Sequence, residues 1–90
     1  MQEKSENYKM QLVRAVAEVI KNRRAKLNKS MYLISAESSM SKSTWREAEL
    51  GLCKDINLST IWKIADGLEV SPSEFIREVE KKLDNNFIIE

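Results

Sequence analysis

Residues 30–51 read SMYLISAESSMSKSTWREAELG, and this stretch predicts two short helices joined by a tight turn. Ser30 is a good N-cap for the first helix, whose apolar pattern ends at Ser38. Ser41 then caps a second helix, and Gly51 follows where a helix end favours a left-handed residue. Two such helices separated by roughly three or four residues form a helix-turn-helix.

The second of these helices is predicted to have two faces. Trp45 and Ala48 are spaced to face inward, whereas polar and charged side chains lie near its N-terminal end. A helix of this kind can enter a DNA groove with its N-terminal end against base edges and phosphates. The residues predicted to contact DNA from this helix are Lys42, Ser43, Thr44, Arg46 and Glu47.

The segments 39–51, SMSKSTWREAELG, and 58–75, LSTIWKIADGLEVSPSEF, resemble the lambda-repressor-like helix-turn-helix domains of phage Cro and repressor proteins and of Xre-type bacterial regulators. The similarity covers roughly residues 12–75. It implies an all-α, five-helix domain that binds double-stranded DNA. Such proteins usually dimerise on an inverted repeat.

The resemblance also implies roles for single residues. Arg24 and Glu49 match a pair that ties the first helix to the third in many members, which leaves Arg23 free for phosphate. Met31 stands where the family commonly has a phosphate-contacting Gln, so that contact is either lost or replaced by a neighbour. Ser39 stands where the family prefers Gly, so either it adopts a left-handed conformation or the turn differs.

Charge is distributed unevenly along the chain. The net charge is +1, but residues 1–30 carry eight Lys and Arg against three Glu, and five of these cations lie between Lys21 and Lys29. Taken alone, such a cluster is a solvated helix end. Beside a groove-entering helix it becomes a phosphate clamp. The predicted phosphate contacts outside the second helix of the motif are Arg23, Lys26, Lys29 and Lys54.

Composition narrows the classes of function. With 90 residues, of which 42% are hydrophobic, the chain can build one small domain. There is no His, and Cys53 has no partner for a disulfide or a catalytic pair, so no enzyme, metal or cofactor is predicted. No apolar run is long enough for a membrane span. A cytoplasmic protein is expected.

Three further helices complete the predicted domain of residues 8–84. The first runs from Tyr8 to Lys26, after a flexible extension of residues 1–7. Asn57 caps the fourth, which is nearly apolar all round and carries Trp62, expected in the core like Trp45. The fifth begins at a capping box with Pro at its first position, Ser71-Pro72-Ser73-Glu74.

The tail 85–90 reads NNFIIE and places three apolar residues near the end of the chain. Either it folds back onto the core or it joins two copies of the chain. Phe75 and Ile76 are expected to cover the domain's own core. The residues assigned to dimerisation are Leu83, Phe87, Ile88 and Ile89.

These patterns predict a sequence-specific DNA-binding transcriptional regulator, such as a repressor, that works as a homodimer. Nothing in the sequence decides between promoter occlusion and recruitment. The alternatives keep the fold but bind a protein partner: an antitoxin of a toxin–antitoxin pair, or an adaptor with weak or no DNA binding.

Overall fold

The structure, a computed structural model, describes the backbone of residues 2–83 and the side chains of residues 8–83. Within this range the chain forms five α-helices and no β-strand, as the predicted all-α class requires. The tail with Phe87, Ile88 and Ile89 lies outside the described residues. The helices are α1 (Gln2–Leu27), α2 (Met31–Glu37), α3 (Lys42–Leu50), α4 (Leu58–Gly67) and α5 (Pro72–Lys82).

Helix α1 begins at Gln2, so the predicted start at Tyr8 is wrong. The added turns, QEKSEN, contain no apolar residue, and an apolar stripe therefore could not reveal them. Gln, Glu and Lys are nevertheless good helix formers, which accounts for the longer helix.

Polar N-caps start the four later helices. The Oγ atoms of Ser30, Ser41 and Ser71 each accept a hydrogen bond from the backbone N–H three residues on, at 3.1 Å. Asn57 Oδ1 accepts from the N–H of Thr60 at 2.8 Å. All four starts predicted from the caps are confirmed, because capping is a local interaction.

The turn between α2 and α3 uses a left-handed serine. Ser39 has φ 61°, and the next residue, Met40, donates its N–H to the carbonyl of Ser35 at 2.9 Å. This Schellman geometry caps the carbonyls at the end of α2. Ser39 therefore takes the conformation that Gly usually provides in such turns.

Gly67 sits where α4 meets the α2–α3 pair. A Cβ on this residue would lie 2.8 Å from Ser38 Cβ and 3.3 Å from the Trp45 ring. The helices can approach this closely only because position 67 has no side chain. The fully buried Ile34, Trp45, Ile64 and Phe75 belong to one hydrophobic core.

Several apolar side chains lie elsewhere than predicted. Trp62 is 55% exposed rather than buried, because only one face of α4 is covered by the rest of the chain. On α5, Ile76 is exposed and Leu83 packs against the core, the reverse of the prediction. Positions 76 and 83 are seven residues apart and fall on the same side of an ideal helix, so helical periodicity does not separate them. Leu83 lies just beyond the end of α5, at a C-cap with an extended backbone (φ −81°, ψ 148°), so the helical spacing of Phe75 and Val79 does not set its direction.

Candidate nucleic-acid interface

Helix α3 has the two faces that its sequence predicts. Trp45, Ala48 and Glu49 are buried. The opposite face is solvent-exposed and polar, so it is available to a ligand. It consists of Lys42, Ser43, Thr44, Arg46 and Glu47.

The N-terminus of α3 is capped by Ser41 and has no negative side chain in its first turn. Ser41 Oγ accepts from the N–H of Thr44 and donates to Thr44 Oγ1 at 2.7 Å. The first turn carries no acidic residue and begins with Lys42. No negative side chain therefore offsets the positive end of the helix dipole, and the charge of Lys42 adds to the positive potential there.

An ion pair between the partly exposed Arg24 and the buried Glu49 fixes α3 to α1. Arg24 donates through Nε and Nη2 to the two carboxylate oxygens of Glu49, at 2.8 and 2.6 Å. Trp45 Nε1 donates to the same carboxylate at 2.9 Å, and Arg24 Nη1 donates to the carbonyl of Lys29 at 2.8 Å. The structure thus brings together the pair implied by the resemblance and adds a tryptophan to it.

The electrostatics of this pair favour the ionised carboxylate. Burial by itself raises the pKa of the Glu49 carboxyl, but hydrogen bonds from Arg24 and Trp45 outweigh it and hold the pKa below its usual value. Glu49 is only 3% exposed, so its charge depends on these donors. The orientation of α3 is thereby tied to Arg24.

Two of the predicted phosphate contacts have other partners. Arg23 is not free: it pairs with Glu78 and, at 3.0 Å, with Glu74, which joins α1 to α5. Lys29 Nζ lies 2.7 Å from Glu37 and 2.9 Å from Glu69. Both cations therefore have their charge met by carboxylates that come close only in the folded chain.

The remaining predicted cations are Lys26, Lys42, Arg46 and Lys54. All four are exposed, and their side chains make no ion pair within the part of the chain that the structure describes. They are the cations available for phosphate.

Lys54 lies at a cleft of about 620 Å³ between α1 and the loop after α3. Lys9 and Arg14 of α1 line the same cleft, so three cations meet there. Sequence reasoning missed Lys9 and Arg14 because nothing local to α1 indicates that the loop packs beside them. Cys53 also lines the cleft; burial raises the pKa of its thiol, which keeps it protonated at neutral pH.

The first turn of α2 presents a residue that the sequence did not single out. Met31 packs against the core, while its neighbour Tyr32 is 71% exposed. A tyrosine hydroxyl can donate a hydrogen bond to a phosphate oxygen. Tyr32 is therefore the residue next to Met31 whose side chain can offer a hydrogen bond to a ligand.

None of the helices in residues 2–83 has the length and hydropathy needed to cross a membrane. Comparison with family models, with curated proteins and with solved structures found no match. The function of this surface is therefore inferred from its own chemistry.

Proposed function

We propose that this chain is a lambda-repressor-like helix-turn-helix protein that binds double-stranded DNA sequence-specifically and regulates transcription as a homodimer. The observation that carries the proposal is α3, a nine-residue helix with one buried face and one exposed polar face. The major groove of B-DNA accommodates an α-helix of this kind. The ion pair of Arg24 and Glu49 would hold it in place.

Roles within the interface follow from side-chain chemistry. Lys42, Ser43, Thr44 and Glu47 would read base edges, with Lys42 suited to guanine and Glu47 suited to cytosine. Phosphate contacts would come from Lys26, Arg46 and Lys54, supported by Lys9, Arg14 and the Tyr32 hydroxyl. Arg23 and Lys29 are left out because carboxylates already pair with them.

The experiment is selection of bound sites from a random DNA library, followed by titration of the preferred site and of random DNA. Lys42→Ala should cost about 1–3 kcal/mol on the preferred site and much less on random DNA. Lys81→Ala is the matched control, since Lys81 is an exposed lysine on α5. Failure to enrich any sequence, with no binding even at low salt, would contradict the proposal.

A second candidate function is binding to a protein, as an antitoxin or an adaptor would do. It is favoured by the exposed apolar side chains of Leu58, Trp62 and Ile76, which a pure DNA-binding monomer does not need. A toxin-like reading frame beside the gene, and a stable complex between the two products, would support this function.

A further inference from the structure

Helices α4 and α5 border an apolar groove on the surface. Leu58 and Trp62, one helical turn apart on α4, are 68% and 55% exposed, and Ile76 on α5 is 44% exposed. All three line one cavity of about 610 Å³, together with Pro72. A group of exposed apolar side chains at one place marks an interaction surface.

The groove lies outside the candidate nucleic-acid interface. Its lining comes from α4 and α5, whereas the polar face that would meet DNA is on α3. An occupant of the groove would therefore leave the exposed side chains of α3 accessible.

The rim of the groove carries one charge of each sign. Arg77 and Glu80, three residues apart on α5, both line it. Their side chains make no hydrogen bond or ion pair within residues 8–83. An apolar centre with one cation and one anion beside it is complementary to its own copy turned by a two-fold axis.

We propose that this groove is the homodimer interface. Leu58, Trp62 and Ile76 of one copy pack against the same residues of the second copy, and Arg77 of each copy faces Glu80 of the other. This inference rests on the proposed function, which requires a dimer. The groove residues take the role that the sequence assigned to Leu83, because Leu83 packs against the core of its own chain.

Sedimentation equilibrium without DNA tests the apolar centre. Trp62→Ala should raise the dimer dissociation constant ~30-fold or more, as expected for a central tryptophan. Tyr32→Ala is the matched control, because Tyr32 is an exposed aromatic residue that does not line the groove, and it should leave the constant unchanged. Circular dichroism verifies that both variants keep their helix content.

Charge reversal tests the two-fold arrangement itself. Arg77→Glu and Glu80→Arg should each weaken self-association roughly tenfold or more, because each places like charges against one another. A mixture of the two variants should form heterodimers, since each reversed charge then meets its opposite. Loss of association in both variants with no recovery on mixing would overturn the two-fold pairing.

Two other results would overturn the inference. One is a wild-type chain that stays monomeric at every concentration, which would leave the groove to a different protein. The other is a dimer dissociation constant that Trp62→Ala leaves unchanged, which would place the interface between the two copies elsewhere. Binding of a single DNA half-site tests the proposed function separately, because it requires no dimer. A chain that dimerises but binds no DNA would contradict the proposed function and would still support the interface.

Discussion

Glu49 is the one charged residue that is buried among those the structure describes. Its carboxylate is buried and accepts hydrogen bonds from Arg24 and Trp45, which belong to different helices. A buried charge of this kind is tolerated only while its partners remain. The position of α3, and with it the polar face proposed to read DNA, therefore depends on one carboxylate.

Arg24→Met should lower the free energy of unfolding by about 3–5 kcal/mol, because it leaves the Glu49 charge buried with one donor. Urea denaturation followed by circular dichroism measures this. Arg23→Met is the matched control: its carboxylate partners, Glu74 and Glu78, are 49% and 28% exposed, so the loss should be at most about 1 kcal/mol. Equal losses in the two variants would contradict the buried-pair account.

The Glu49 carboxyl also predicts a pH dependence. Its pKa is lower in the folded chain than in the unfolded chain, so the unfolded chain binds more protons in this range. Its contribution to stability is present above the ordinary Glu pKa of about 4.3 and is lost as the pH falls through the folded value. Below about pH 5, Glu49→Gln should therefore show a shallower fall in unfolding free energy than wild type. Parallel curves for the two proteins would argue against this contribution.

At the scale of elements, the contact between α4 and the α2–α3 pair leaves no room for a side chain at position 67. Gly67→Ala would place a Cβ 2.8 Å from Ser38 Cβ, so the helices must separate. In an open helix the same change stabilises by up to about 1 kcal/mol, and here it should destabilise by about 1–3 kcal/mol instead. Thermal denaturation shows directly whether the variant is more or less stable than wild type. Adding Ser38→Gly removes the clashing atom, so the double variant should lose less than the sum of the two single variants.

Element ends and element faces differ in how far they could be predicted. The caps at Ser30, Ser41, Asn57 and Ser71 were predicted correctly, because each bonds a backbone N–H only three residues away. The predicted capping box at Ser71 is met in part. The Ser71 hydroxyl accepts a hydrogen bond from the backbone N–H of Glu74, as a capping box requires. The Glu74 carboxylate, however, accepts from Arg23 on α1, and no local sequence pattern connects these two residues.

At the scale of the whole molecule, ion pairs remove two of the six cations that the sequence predicts for DNA, and the cleft at Lys54 adds Lys9 and Arg14. With Arg23 and Lys29 in ion pairs, four predicted cations remain per subunit. Lys26, Arg46 and Lys54 are the predicted cations assigned to phosphate, and Lys9 and Arg14 bring the number to five. A log–log salt slope of roughly −4.5 is then expected on a half-site, near −0.9 for each phosphate contact. Lys54→Ala should reduce the slope by ~0.9, whereas Lys29→Ala should leave it unchanged. Affinity that does not vary between low and physiological salt would remove the DNA-binding proposal.

By itself, the sequence determined the all-α class, the starts of four helices and the two faces of α3. These depend on capping and helical periodicity, interactions that operate within a few residues. Only the tertiary structure decided that Trp62 and Ile76 are exposed while Leu83 is covered. It also decided that Arg23 and Lys29 are neutralised, and that Lys9, Arg14 and Lys54 share a cleft. The physical reason is that burial and ion pairing depend on which distant segments come together, and helical periodicity cannot choose among several apolar faces or several nearby charges.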